Sequence, residues 1–543
     1  MATVRRRIAH TEAYTSLSRR HASSPKGTGL LPPVRYPLGS NHRKSSRRSK
    51  RGLIQGKILQ EDQHGWKVVH IYGDAYDRGY AHGHLLRGEL RYVVAKLHFL
   101  ITVILDMSYD AYMKYCQKHI APIVQYEYTE IYEELRGIRD GSRDAITMLE
   151  LIAWNAWLSM YNVDMPPPPK KSRKHRRTVS NRTKSTVSEA SSPLGSNQRC
   201  SAFVATGNAT RPGSGIVMAH NTHSDMASAT LFNIVMYVDP TSGSTEGLTK
   251  GSNEGLTKGS TEGLTEGHAF VMQTCAGYVA SGADWFITKA GIVGCETTIS
   301  DTNYKVHFSR RNRHPYFCRI RGAMQYATTL DECANWMQKH NAGDYPGSWL
   351  FGDINTDEIM LCEIGLNHNN IQRTMNGVFY GMNSAHDFAL RNQDTDDLTY
   401  IDQNTSSGAR NIRLDALLNH KYYGKIDIEV AKRVLADHYD VQVERDRHPS
   451  SRTICNHYFM DPTTDSPNYP HSSIDGKVVD SRMAKAMTFS GRWGSSCGMA
   501  FSVKDHLHAY PEYRSWKKYL VDLPSQPWTT IKSPPKPTHT DSY

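Results

Sequence analysis

The chain has 543 residues, a formal net charge of +12 and nine cysteines. That length holds one large domain or several ordinary ones, and no stretch is long and apolar enough to span a bilayer. The cysteines, at positions 116, 200, 275, 295, 318, 333, 362, 455 and 497, form no CxxC pair and no Cys/His metal spacing. They read as mostly buried free thiols in a reducing compartment, with no metal and no cofactor expected.

Residues 1–52 read as a disordered basic extension. Its start, Met1 to Arg7, has basic residues but no apolar run after them, so the expectation is no secretory signal and an intracellular chain. This extension and the basic stretch 166–199 supply much of the positive charge. They read as solvated tails, with contact to anionic surfaces as the sharper alternative. No aromatic residues interleave in a way that supports a specific nucleic-acid partner.

Residues 53–165 read as the first part of the folded body. Trp66 to Tyr72 is β-branched and aromatic, which predicts a strand. Gly79 and Gly83 share one face of the helix that follows and allow a neighbour to pack closely. A dinucleotide site would need a GxGxxG order, which is absent. Residues 84–165 are helical in pattern, with Leu149, Ile152, Ala153, Ala156, Trp157 and Met160 at spacings of three and four. Residues 166–199 form a basic, cleavable linker: Pro166 to Pro169, a Lys/Arg run, then Ser/Thr/Asn-rich sequence to Arg199.

Residues 200–530 read as the second part, followed by a tail at 531–543. Strands are predicted at Ser201 to Thr206, Gly215 to Ala219, Ala229 to Val238 and Ala269 to Thr274, bounded by Gly, Asn and Pro. Between two of them an octad repeats three times over 243–266, too short and polar for a solenoid and best read as an expanded hairpin loop. Residues 319–340 look helical. Residues 348–365 look like paired strands around Asn355-Thr356-Asp357. Two helices are predicted within 409–445, and 452–510 returns to strand-like, Gly-rich text. The pattern is α+β, with strands packed on strands and helices outside.

Cys200 is the residue with the most chemical promise, because it opens a strand directly after the linker. Cutting the Arg199–Cys200 bond would leave its own α-amino group as general base for its thiol. In a hairpin the segment His220-Asn221-Thr222-His223 lies at the end of the next strand, near Cys200. His220 or His223 is then placed to tune the thiol and Asn221 to orient it; the plain alternative is a polar strand cap. A cysteine without such a context is ordinarily an inert buried thiol.

Arg199-Cys200-Ser201-Ala202, His220-Asn221-Thr222 and Leu231-Phe232-Asn233-Ile234 resemble the nucleophile region of the phospholipase B-like family. Cys295-Glu296-Thr297-Thr298 and the segment Asn341 to Trp349 resemble two further segments of that family. Trp349 to Asp353, Glu358-Ile359, Glu363 to Leu366 and the early Gly73, Gly79, Gly83 pattern resemble the isopenicillin-N acyltransferase family. Both belong to the N-terminal nucleophile (Ntn) hydrolases, and the resemblance covers most of residues 65–530 outside the linker and the octad loop. It implies a four-layer α-β-β-α sandwich, self-cleavage before Cys200, and attack by Cys200 on an amide or ester carbonyl, including that of a lipid, through an acyl-enzyme. It further implies an oxyanion role for Asn383 and a site role for Arg410, whose plain reading is a surface residue at a helix start. Acyl transfer to an amine and an inactive structural or binding protein of the same fold are the alternatives. The chain departs from the acyltransferases at Thr222 and His223 and from the phospholipase B-like proteins at His223. Two more segments, Arg452 to His457 and Gly494 to Gly498, look motif-like but receive no role.

Overall fold

The computed structural model describes residues 54–168, 200–240 and 267–534. The basic extension, the linker from 169 through Arg199, the octad loop and the tail from 535 lie outside the described residues.

Two large sheets account for the strands. The first has nine strands in the order β1-β2-β5-β6-β7-β8-β9-β10-β11. These are β1 Gly56–Gln63, β2 Trp66–Tyr72, β5 Ile234–Asp239, β6 Phe270–Thr274, β7 Trp285–Thr288, β8 Ile292–Thr298, β9 Gly347–Asp353, β10 Glu358–Ile364 and β11 Asn369–Thr374. The second runs β12-β3-β4-β14-β15-β16, from β12 Gly377–Gly381, β3 Cys200–Thr206, β4 Val217–Asp225, β14 Asp475–Asp480, β15 Phe489–Trp493 and β16 Thr529–Ile531, with β13 His471–Ser473 paired to the far end of β4. Within the first sheet β2 and β5 pair in parallel, Lys67 opposite Ile234, while the other pairings are antiparallel.

The sheets stack face to face, β3 lying against β8 and β9. Alternation along β3 shows the sorting: Ala202 and Val204 join the core shared with the nine-stranded sheet, whereas Phe203 and Ala205 join a second core under helices Ser406–Asp415 and Ile428–Leu435. On the outer face of the first sheet, helix Ala75–Leu85 covers β1 and β2, and helices Tyr316–Tyr326 and Leu330–Gln338 cover β7, β9 and β10. The result is the four-layer α-β-β-α sandwich that the resemblance implies.

Gly79 and Gly83 do face a neighbour. A Cβ at Gly79 would stand 2.1 Å from the Glu134 carbonyl oxygen, and one at Gly83 would stand 2.0 Å from that of Ile138. Helix Thr129–Gly141 answers with Gly137 and Gly141 against Tyr76 and Tyr80, so the two backbones touch along four glycines. Glu134, buried beneath this contact, pairs with Arg78 at 2.8 Å and Arg321 at 2.7 Å and ties in the Tyr316–Tyr326 helix.

Three expectations are corrected. The predicted 319–340 helix is two helices, because Thr329 leaves the helical path to cap the second one through its hydroxyl, which accepts the Glu332 N–H at 3.2 Å. Only Ile234–Asp239 of the predicted Ala229 to Val238 strand is extended, since Ala229–Leu231 forms a tight turn. The strand predicted to end near Ala219 continues through Asp225. The polar residues His220 to Ser224 are not a cap, because each finds a buried partner within the fold. Among the described residues no helix is long and apolar enough to cross a membrane.

Candidate active site

Cys200 is the first residue of β3 and 1% exposed. Its antiparallel partner on β4 is Thr222, which puts Ser201 opposite Asn221 and Ala202 opposite His220. Side chains alternate across a strand, so two sets form. Cys200, His220 and Thr222 face the nine-stranded sheet. Ser201, Asn221 and His223 face the helices.

On the sheet side the thiol meets charge. Burial is the main cause that pushes Cys200 well above the ordinary thiol range; the Glu296 and Asp284 carboxylates add to it, while Lys477 and the His223 backbone N–H work against it. The Tyr345 hydroxyl lies 2.9 Å from Asp284 Oδ2 and 3.1 Å from Glu296 Oε2 and accepts a hydrogen bond from Thr298 at 2.8 Å. Lys477 is fully buried and donates to Asp475 Oδ1 and Thr222 Oγ1, both at 2.8 Å. Asp475 also accepts from the Thr222 N–H and from Gln273 Nε2, each at 2.8 Å. His220 Nε2 stands 2.9 Å from the Glu296 carbonyl, and burial first, then Lys477, holds its imidazole neutral, well below the usual range.

On the helix side three predicted residues gather on the backbone of Cys200 and Ser201. Asn383 Oδ1 accepts the Cys200 N–H at 3.3 Å. Arg410 donates to the Cys200 carbonyl at 2.6 Å, to Asn383 Oδ1 at 2.8 Å and to Ser201 Oγ at 3.1 Å. Asn221 Oδ1 accepts the Ser201 N–H at 3.0 Å. Arg410 is completely buried, unlike a surface residue at a helix start, and burial pushes its guanidinium down to about 9 against the opposing pull of Cys200. Asn383 holds a φ of 79°, a left-handed conformation unusual for a residue other than glycine. Its Nδ2 donates to the Thr298 carbonyl at 2.9 Å, so it grips the Cys200 amide with the other half of its side chain.

His223 is placed differently from the expectation. Its ring points away from the thiol and sits 3.2 Å from the Ile454 carbonyl, and burial followed by Arg410 holds it neutral. What His223 brings to the sulfur is its backbone N–H. The side chains of Asp284, Tyr345, Asp475, Lys477 and Gln273 were not singled out from the sequence. They come from four separate segments, and the only hint is an aspartate and a lysine flanking glycine at the start of strand β14.

A second gathering lies outside the residues predicted from the sequence. His438, Cys455, His457 and Cys497 place their ligand atoms within 4.8 Å of one another. They arise from three segments far apart in sequence, which hides them from any spacing rule, and two of those segments are the motif-like runs left without a role. An open cavity of about 470 Å³ lined by residues such as Ile428, Arg482 and Thr530 lies elsewhere and includes no predicted site residue.

No family model and no curated protein matches the sequence. Among solved structures, the chain is similar to a mutant conjugated bile acid hydrolase from Clostridium perfringens, with 11% identity, 54% of this chain and 89% of that chain covered, and a TM-score of 0.31. Another variant of the conjugated bile acid hydrolase from the same organism aligns at 10% identity over 42% of this chain and 75% of that one, with a TM-score of 0.27.

Proposed function

We propose that the chain is a self-processing cysteine hydrolase of amide or ester bonds, with Cys200 as the nucleophile. The observation that carries this reading is the convergence on the backbone of Cys200 of Asn383, at the N–H that cleavage of Arg199–Cys200 would convert into an α-amine, and of Arg410, at the carbonyl of the same residue. The resemblance to the Ntn hydrolases supports it independently of that geometry.

Processing consumes one water: the Arg199–Cys200 amide bond breaks, Arg199 keeps the carboxylate and Cys200 gains the amine. An α-amine ordinarily titrates near pH 8 (about 7.7–8.0), so close to neutrality its free-base form can take the thiol proton. The thiolate then attacks the acyl carbonyl. The ammonium returns its proton to the leaving amine or alcohol, and water releases the acid from the thioester. Asn383 Oδ1 and Arg410 fix the amine and the backbone behind it. For Asn383 to serve the oxyanion instead, its Nδ2 would have to leave Thr298. The resemblance to phospholipase B-like proteins adds lipid esters to the amides worth screening, and an amine in place of water would make the same acyl-enzyme an acyltransferase.

The test is intact mass and N-terminal sequencing of wild type beside Cys200→Ala. The expected result is a wild-type chain beginning at Cys200 and an uncut mutant. Two uncut proteins, or two proteins nicked alike at scattered linker positions, would overturn the reading in favour of an inactive protein of the same fold.

A further inference from the structure

Four side chains with soft or borderline donors converge behind β4. His438 follows helix Ile428–Leu435, Cys455 and His457 lie in the loop before β13, and Cys497 follows β15. His457 Nε2 is 3.1 Å from His438 Nε2 and 3.4 Å from each of the two sulfurs, Cys455 Sγ and Cys497 Sγ. A tetrahedral zinc, with Zn–S near 2.3 Å and Zn–N near 2.05 Å, sets two nitrogens about 3.3 Å apart and a nitrogen and a sulfur about 3.6 Å apart. The observed spacings match those edges to a few tenths of an ångström. Both cysteines are free thiols, not a disulfide.

The surroundings orient the donors in the way metal ligands are oriented. Ser472 Oγ lies 3.3 Å from His457 Nδ1, which leaves Nε2 for the centre. The Met499 N–H donates to Cys497 Sγ at 3.3 Å, and Ser495 Oγ stands at the same distance from that sulfur. The Cys455 N–H donates to the Asp437 carbonyl at 3.1 Å and ties the His438 segment to the Cys455 segment.

We propose that His438, Cys455, His457 and Cys497 form a structural zinc(II) site. Four protein donors complete a tetrahedron and leave no position for an activated water, so the site is closed. Its purpose is legible in Asn221, whose Nδ2 lies 3.3 Å from the Leu435 carbonyl, 3.1 Å from the Ile454 carbonyl and 3.3 Å from Ser496 Oγ. Each of those groups sits within three residues of a ligand. The three segments joined by the metal are the three that hold Asn221, and Ile454 also receives His223 and, at 3.5 Å, Ser201. The zinc fastens the wall behind the first two residues of β3.

Zinc is measured by plasma mass spectrometry on the full chain purified without chelator. The expected content is about one per chain in wild type and in Cys200→Ala, and under about a tenth of that in Cys497→Ser and His438→Ala. Protein expressed in cobalt-supplemented medium should show thiolate-to-cobalt charge-transfer and d–d absorption, lost in Cys497→Ser. If these variants fail to fold, wild-type metal content and the cobalt spectrum decide alone. Folded wild type without zinc or cobalt bands would overturn the site. So would zinc retained by the folded variants, or a thiol titration of the denatured chain that finds two fewer thiols than the nine in the sequence. The wild-type and Cys200→Ala metal contents do not depend on processing, so the zinc site and the hydrolase reading fail separately.

Discussion

Cys200 and the Cys455–Cys497 pair are thiols of one protein, yet they live in opposite company. Cys200 is buried against two carboxylates, Glu296 and Asp284, and burial and their charge favour the neutral thiol. Cys455 and Cys497 face two imidazoles, which with them make a donor set for a cation. Burial alone does not separate them, because Cys200 and Cys455 are both buried. A cysteine's chemistry here is set by the neighbours that the fold delivers.

Exchanging the roles is the harshest way to break that contrast. Cys200→Ala is expected to abolish processing and keep the metal. Cys497→Ser is expected to lose the metal and to slow processing without stopping it, read by intact mass over time. Arg410→Met removes the guanidinium from the Cys200 carbonyl and from Asn383. By analogy with loss of a preorganised donor, the chain beginning at Cys200 should form about 10²–10³ times more slowly, followed by time-resolved mass analysis.

Glu296→Gln sharpens the electrostatic half of the comparison. The carboxylate opposes thiolate formation, so removing its charge must lower the Cys200 titration. The pH profile of Cys200 alkylation should move to lower pH, and an unmoved profile would uncouple Glu296 from the sulfur. A yardstick away from both thiol sites is Gly83→Ala, whose Cβ would meet the Ile138 carbonyl. Destabilisation of about 1–3 kcal/mol is expected in urea unfolding. Gly88→Ala, with nothing within 4 Å of its Cβ, should instead gain up to about 1 kcal/mol.

How much of this was readable depended on whether the signal was local. The Trp66–Tyr72 strand, the glycine face, the hairpin of β9 and β10, and the helix carrying Val430, Ala431, Val434 and Leu435 each announce themselves within a dozen residues. The edge strand β11, Asn-Asn-Ile-Gln-Arg-Thr, is polar and mostly exposed, so it has no alternation to read. Cys200 stood out through the linker before it. Asp284, Tyr345 and Lys477 did not, because what brings them to the sulfur is strand order in two sheets. His220 to His223 misled in the other direction. Polar residues in a row read as an end, but buried partners on both faces let the strand continue through them.

The parallel pairing of β2 with β5 has a consequence for a cut chain. β1 and β2 precede the linker, yet they form one end of the nine-stranded sheet, held through β2 to a strand that follows Cys200. A break before Cys200 therefore separates two polypeptides without separating two bodies. Under denaturation the pieces would run as two bands; in native gel filtration they would elute as one particle, a dimer born from a single translation product whose halves were never strangers.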